Sequence, residues 1–252
     1  MRAKKALNNV GETIWLPLKD EPFGKITICM LGIIITTVLV FVWQYFTQVD
    51  VQEQYWFSMS TFYTRPWTLF TYFFMHYPPQ LNLYLAIAHI AGNMWFLFLF
   101  MNNLEEKIGY WVLPFYIVGG IVSGLVFGIV FPDTLIVGAS GAVSAIMGAY
   151  YVAFPHNKLT LIGVPQGSLE NIKGLEDLMG LKDKILYKTV SCKYWLWSWF
   201  IVQIPLCLST SNNGVAYLCH VSGFIFGMLA VVMFKWYKHR GGGEDVVVAV
   251  PG

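Results

Sequence analysis

Four residues able to do chemistry lie where polar groups are scarce. Ser140, His220, His89 and Asn93 all sit inside long windows free of Asp, Glu, Lys and Arg. The five windows are 26–49, 66–104, 108–132, 134–157 and 194–234. An ionisable group at membrane depth is costly and marks a functional site by default. A serine hydroxyl beside an imidazole is an activated nucleophile. His89 and Asn93 are four residues apart, so a helix places them on one face, where both can donate hydrogen bonds toward one point. The chemistry that suits this set is acyl transfer, with a nucleophile, a base and donors for a developing oxyanion.

The windows themselves describe what must position these residues. Of 252 residues, 56% are hydrophobic and 12% are charged, against roughly a quarter charged in a soluble domain. This excludes a soluble enzyme, a disordered chain and a nucleic-acid binder. A span needs about 20 apolar residues to cross roughly 30 Å. Ile28–Phe46 satisfies this alone, and five further segments read as spans: Leu83–Leu104, Trp111–Phe131, Val137–Phe154, Tyr194–Leu208 and Gly214–Phe234. The first follows a 27-residue polar start without a small-residue cleavage site, so it reads as a retained helix rather than a signal peptide. The expected fold class is all-α, a polytopic six-helix membrane bundle. With the N-terminus inside, 15 of the 16 Lys and Arg residues fall on inner segments and only Arg65 outside. Both termini are therefore expected to be cytoplasmic. The expected organisation is an N-terminal segment 1–26, a membrane domain 27–236 with a cytoplasmic loop 156–193, and a tail 237–252.

Depth follows from the rise of 1.5 Å per residue. Ser140 lies 15 residues before Pro155, and His220 lies 15 before Lys235. Both are roughly 22 Å from the inner end of their spans, and His89 and Asn93 roughly 24 Å and 18 Å. Counted from Ser140, the fourth span is too short to cross alone. The stretch Asp133–Ala139 must therefore dip into the protein as shielded, non-helical backbone. The helix beginning at Ser140 then aims unpaired N–H groups into the cavity. Ser140, Gly141, Ser144, Ala145 and Gly148 make one small face on span four, and His220, Gly223 and Gly227 one on span six. Small faces allow helices to approach closely in lipid, which would bring Ser140 and His220 together. Trp67, Phe70, Tyr72, Phe73 and Phe74 suit a loop at the membrane interface. In the inner segment, Leu175, Leu178, Leu181, Ile185 and Leu186 recur at helical spacing, so a surface helix or a solvated loop is expected there.

These residues resemble the rhomboid intramembrane serine proteases. Gly138-Ala-Ser-Gly141 is similar to the family's nucleophile motif and His220-x-x-Gly223-x-x-x-Gly227 to the motif carrying its base. His89-x-x-x-Asn93 resembles the oxyanion pair, and Glu105-x-x-x-Gly109 a motif at the inner end of the second span. Pro66-Trp67-Thr-Leu-Phe-Thr71 with His76 resembles the outer loop. The resemblance covers roughly 67–233. It departs where Thr68 stands for the usual Arg after Trp67, and where Ser144 replaces an aromatic that many members stack on the catalytic histidine. His220 must then be held by another neighbour.

The resemblance implies a Ser140–His220 dyad with the backbone N–H of Ser140, His89 and Asn93 holding the oxyanion. Gly138, Gly141, Gly223, Gly227, Glu105 and Gly109 are its structural motif residues. It implies transmembrane segments of other proteins as substrates and the lipid bilayer as surroundings. Span five and the turn Ser209–Gly214 are the implied gate. No cofactor, metal or nucleic acid is expected. The four cysteines lack metal or redox spacing, and no His-Glu-x-x-His occurs. Short ends suit a bacterial inner membrane. The alternatives are a non-catalytic rhomboid-like scaffold or chaperone binding transmembrane clients, and a small transporter using the same polar cavity.

Overall fold

In lipid every backbone N–H and C=O must be satisfied within its own segment, so charge-free apolar runs become helices. A computed structural model describes residues 13–22, 24–165, 185–208 and 215–240. Helices occupy each of the six predicted segments. They are α1 (Ile28–Phe46), α4 (Leu83–Ile108), α5 (Val112–Val130), α6 (Ser140–Ala153), α7 (Cys192–Leu208) and α8 (Tyr217–Arg240), with short α2 (Val49–Gln52) and α3 (Thr68–Thr71) in the first long connection. Three stretches are long and apolar enough to cross a membrane: α1, the run 83–130 holding α4 and α5, and Tyr217–Lys238. Their outer faces carry exposed apolar side chains, such as Ile35, Leu39 and Phe46 on α1 and Leu229 and Met233 on α8. At about 1.5 Å per residue, the 14 residues of α6 reach only about 21 Å.

Two compact units divide the chain. One holds 24–155 and the residues from Leu196 onward. Its centre is α6, against which α8, α5 and α4 pack. Every residue from Gly141 to Tyr150 is buried. Gly120, Gly124 and Gly128 line one face of α5 and receive the rings of Phe73, Tyr72 and Phe57. A β-carbon at those glycines would come within 2.9, 2.9 and 3.0 Å of them. The expectation of an interfacial aromatic loop therefore divides. Trp67 and Phe70 are about half exposed, while Tyr72 and Phe73 are buried in the helix bundle.

Both ends of α1 are closed by side chains from elsewhere in the unit. Glu105 accepts from the N–H groups of Cys29 (2.9 Å) and Met30 (3.0 Å), so its carboxylate caps α1. Asn102 Oδ1 accepts from the N–H and hydroxyl of Thr27, each at 3.3 Å. At the far end of α1, Gln44 Nε2 donates to Gln52 Oε1 and to the His76 carbonyl, both at 2.9 Å, and its Oε1 accepts from the His76 N–H at 2.9 Å. Gln52 Nε2 also donates to Gln80 Oε1 at 3.1 Å. Three glutamines thus fasten the His76 segment to α1. Gly109, at φ 62°, ends α4 in a conformation that favours glycine, and a 3₁₀ turn leads into α5.

The second unit, residues 1–23 and 156–195, corrects two expectations. Its described residues form a three-stranded antiparallel sheet, β1 (Thr13–Glu21), β2 (Lys158–Pro165) and β3 (Leu186–Ser191), with β2 in the middle. The chain is mostly helical but not all-α. Leu186 begins a strand, so the flanks of the inner segment are neither a surface helix nor an open loop. Leu175, Leu178 and Leu181 lie outside the described residues. The physical reason is a partner remote in sequence. Val, Ile and Thr favour the pleated surface, but β2 has a second neighbour only because β1 arrives from the N-terminal segment, with Leu16 opposite Ile162 and Glu21 opposite Lys158. The register shifts between Pro17 and Lys19, where proline cannot donate to the ladder. Thr160 donates its hydroxyl to Glu21 at 2.7 Å, the main cause holding that carboxyl below its usual range.

Candidate active site

The approach to Ser140 is an ordered, non-helical stretch, as the shortness of α6 requires. Ile136 and Phe57 exchange backbone hydrogen bonds at 2.8 and 3.1 Å. The Gly138 N–H donates to the Tyr72 carbonyl at 3.0 Å. Tyr72 is itself fixed, its hydroxyl donating to the Gly120 carbonyl at 2.6 Å and lying 3.2 Å from Ser123 Oγ. Gly138 has φ 118°, a conformation that L side chains rarely adopt. It then turns directly into α6, whose first residue is Ser140. Ala139 offers no side-chain cap. Among the described residues, nothing accepts from the N–H groups of Ser140, Gly141 and Ala142.

His89 lies against this turn from the α4 side. A β-carbon on Gly138 would be 2.8 Å from both Cε1 and Nε2 of its ring. His89 Nδ1 accepts from the Tyr77 N–H at 3.3 Å, which assigns the remaining proton to Nε2, the nitrogen facing Gly138. Asn93 is used differently from a free donor. Its Nδ2 donates to the His89 carbonyl at 2.9 Å and lies 3.3 Å from His76 Nε2. The rings of His76 and His89 meet edge to face at 5.0 Å. His76 is fully buried, and the Gln44 clamp fixes its backbone.

His220 is carried by α8. The two small faces meet as the glycine spacing predicts. A β-carbon at Gly223 would collide with the Gly141 carbonyl oxygen and sit 3.3 Å from Ser144 Cβ. One at Gly227 would collide with the Ala145 carbonyl and lie 2.8 Å from the Ala149 nitrogen. One at Gly141 would collide with Ser123 Oγ and lie 3.5 Å from Cys219 Cβ. The turn carrying His220 therefore packs on the turn carrying Ser140. Ser144, where an aromatic would stand, is buried and donates its hydroxyl to the Ser140 carbonyl at 2.6 Å.

What holds His220 is legible only in three dimensions. Gln203 Oε1 on α7 lies 2.9 Å from His220 Nδ1. The Trp199 ring is 5.9 Å away at an interplanar angle of 32°, and the Tyr217 ring meets it edge-on at 6.0 Å. Gln203 was open to discovery, since it is the one amide side chain in the span 194–208 and polar groups at such depth are rare. Glu105 sits at the α1 cap, remote in role from this cluster, and Gly109 at the end of α4. Thr68, in place of the usual Arg, donates its hydroxyl to the Arg65 carbonyl at 2.7 Å, and Trp67 Nε1 donates to the Gln54 carbonyl at 3.1 Å. The turn Ser209–Gly214, expected as part of a gate, lies outside the described residues. So does the tail from residue 241. Among the described residues no cluster of His, Cys, Asp and Glu is arranged to hold a metal.

A comparison with curated proteins finds no match. The family model of the rhomboid domain matches residues 63–237, which includes Ser140, His220, His89 and Asn93. The match spans well over half of the chain and covers α3 to α7 and most of α8. The protein is thus an integral membrane protein that belongs to the rhomboid family, a family of intramembrane proteases.

Proposed function

We propose that the chain is an intramembrane serine endopeptidase that cleaves transmembrane segments of other membrane proteins with a Ser140–His220 dyad. The observation that carries this reading is the packing of the His220 turn of α8 on the first turn of α6, with His89 against Gly138. His220 takes the proton of the Ser140 hydroxyl as Oγ attacks the scissile carbonyl, then returns it to the leaving amine. The uncapped N–H groups at the start of α6 and the Nε2–H of His89 receive the oxyanion. Asn93 is the second side-chain donor. Its bond to the His89 carbonyl orients that histidine, and its contact with His76 is the one that would be exchanged for the oxyanion. Water then hydrolyses the acyl-enzyme. A substrate helix hides its carbonyls in internal bonds, so small or helix-breaking residues near the cut favour cleavage.

The six helices would form one membrane domain with both chain ends on the Lys- and Arg-rich side. The inner end of α6 supports that orientation, since Lys107 Nζ donates to the Ala153 carbonyl at 2.7 Å and Lys235 Nζ to the Val152 carbonyl at 3.4 Å.

The test is cleavage of a single-span model substrate by purified protein in lipid, with Ser140→Ala and His220→Ala as controls. Each variant should lose at least about 10³-fold in rate, as removal of a nucleophile or base does. Undiminished cleavage by either variant would sink the dyad. Substrate binding without cleavage by the unmodified chain would instead favour the scaffold reading.

A further inference from the structure

The structure assigns Gln203 as the positioning residue for His220, making the site a Ser–His–Gln arrangement. This rests on the Ser140–His220 reading above and adds to it a third side chain from a third helix. Gln203 is only 7% exposed. The orientation of its amide is set by its own helix. Nε2 donates to the Trp199 carbonyl, one turn earlier, at 3.2 Å, so Oε1 is the end presented to α8. That oxygen lies 2.9 Å from His220 Nδ1.

An amide oxygen can only accept a hydrogen bond, so the proton must be on Nδ1. Nε2 is then left with its lone pair, the tautomer a base needs to take a proton from a serine hydroxyl. The opposite tautomer would set Nδ1 lone pair against Oε1 lone pair. The rings of Trp199 and Tyr217 flank the imidazole, the first tilted and the second edge-on. This gives His220 by a hydrogen bond what many family members obtain by stacking on an aromatic, the position held here by Ser144.

The proton balance is simple. During attack the Ser140 hydroxyl proton passes to His220 Nε2, the Oγ–C bond forms, and the carbonyl electron pair moves onto oxygen. The Nδ1 proton stays on Nδ1 throughout. The amide dipole of Gln203 stabilises the imidazolium without accepting its proton. The bond runs between α7 and α8, so the tautomer of the base depends on α7 being in place.

A bland alternative exists, since buried amides also join membrane helices by hydrogen bonds of modest strength. Two variants separate the readings. Gln203→Met keeps the length and removes the acceptor, whereas Gln203→Glu keeps an acceptor. The readouts are kcat and KM for a single-span model substrate in lipid, the thermal midpoint, and the ¹⁵N shifts of His220 in ¹⁵N-histidine-labelled protein, identified against His220→Ala. The expected result for Gln203→Met is a kcat lower by about 10–100-fold, the range seen when a partner that orients a metal-bound histidine is lost, with KM within about twofold. The His220 signals should move from a single tautomer, protonated at Nδ1, to a mixture. Gln203→Glu should restore kcat to within about tenfold and return the single tautomer. The proposal is overturned if Gln203→Met leaves kcat and the ¹⁵N shifts unchanged. It is also overturned if kcat falls only in step with the thermal midpoint and Gln203→Glu rescues neither. Should the unmodified protein fail to cleave and Ser140 resist a fluorophosphonate, the dyad reading fails. The ¹⁵N shifts of Gln203→Met alone then decide whether Gln203 sets the His220 tautomer.

Discussion

Two helix N-termini in the same membrane unit are treated in opposite ways. At the start of α1 the orphan N–H groups are filled, those of Cys29 and Met30 by the Glu105 carboxylate and that of Thr27 by Asn102. At the start of α6 the corresponding groups of Ser140, Gly141 and Ala142 face no acceptor among the described residues. Both carry the partial positive charge of a helix N-terminus. One is closed by an anion that belongs to the protein. The other is open, although Lys107 and Lys235 meet the carbonyls at the far end of the same helix. An unfilled helix start beside two histidines suits an anion that exists only during a reaction.

This contrast can be broken from either side. The largest effect is expected at the open end. Gly138→Ala places a β-carbon 2.8 Å from the His89 ring at φ 118°. Strain of this kind is of the order of 1–3 kcal/mol, and cleavage of a single-span substrate should fall by up to about 100-fold. A rate unchanged within twofold would mean that His89 does not need its place over Gly138. Next is the helix contact that brings the two turns together. Gly227→Ala drives a methyl into the Ala145 carbonyl, and overpacking of a well-filled contact typically costs about 1–3 kcal/mol. Thermal unfolding in detergent micelles should register this, with cleavage falling in parallel.

At the closed end the outcome should separate stability from chemistry. Glu105→Gln leaves α1 with a weaker cap and should lower stability by about 1–2 kcal/mol. The cleavage rate per molecule, counted by fluorophosphonate labelling of Ser140, should stay within about twofold. A large fall in that rate with little loss of stability would put Glu105 in the reaction and erase the contrast. The smallest change is expected for Lys107→Met, which removes a cation from the inner end of α6. A loss of about 0.3–1 kcal/mol is typical for such a helix-dipole contact, read as a small drop in the thermal midpoint with cleavage preserved.

Much of the helical frame was legible because lipid leaves the backbone few choices. α1 begins and ends where the charge-free window predicts, and the other five helices differ at their ends by a few residues. The dip before Ser140 was legible once the span was counted from Ser140, since the roughly 22 Å from there to its inner end falls short of 30 Å. The glycine faces of α6 and α8 foretold their contact because only small residues allow two backbones so close. Gln203 was harder to see. Its identity as a rare buried amide is in the sequence, but its partner on another helix depends on the helix rotations. The sheet was not foreseen, because local periodicity is silent about a strand whose partner lies more than a hundred residues away. The Asn93 amide was assigned a direction by its spacing from His89, yet that spacing does not reveal His76, which the Gln44 clamp delivers beside it.

By itself the sequence determined the solvent, the approximate helices, and the identity of the few polar residues placed among apolar ones. These follow from composition and from rise per residue, which need no partner. Tertiary structure decided which partners His89 and His220 meet, which helix start is capped, and which strand pairs with which. Each of those depends on a hydrogen bond between segments far apart in the chain, and such a bond exists only once packing has brought its donor and acceptor within about 3 Å.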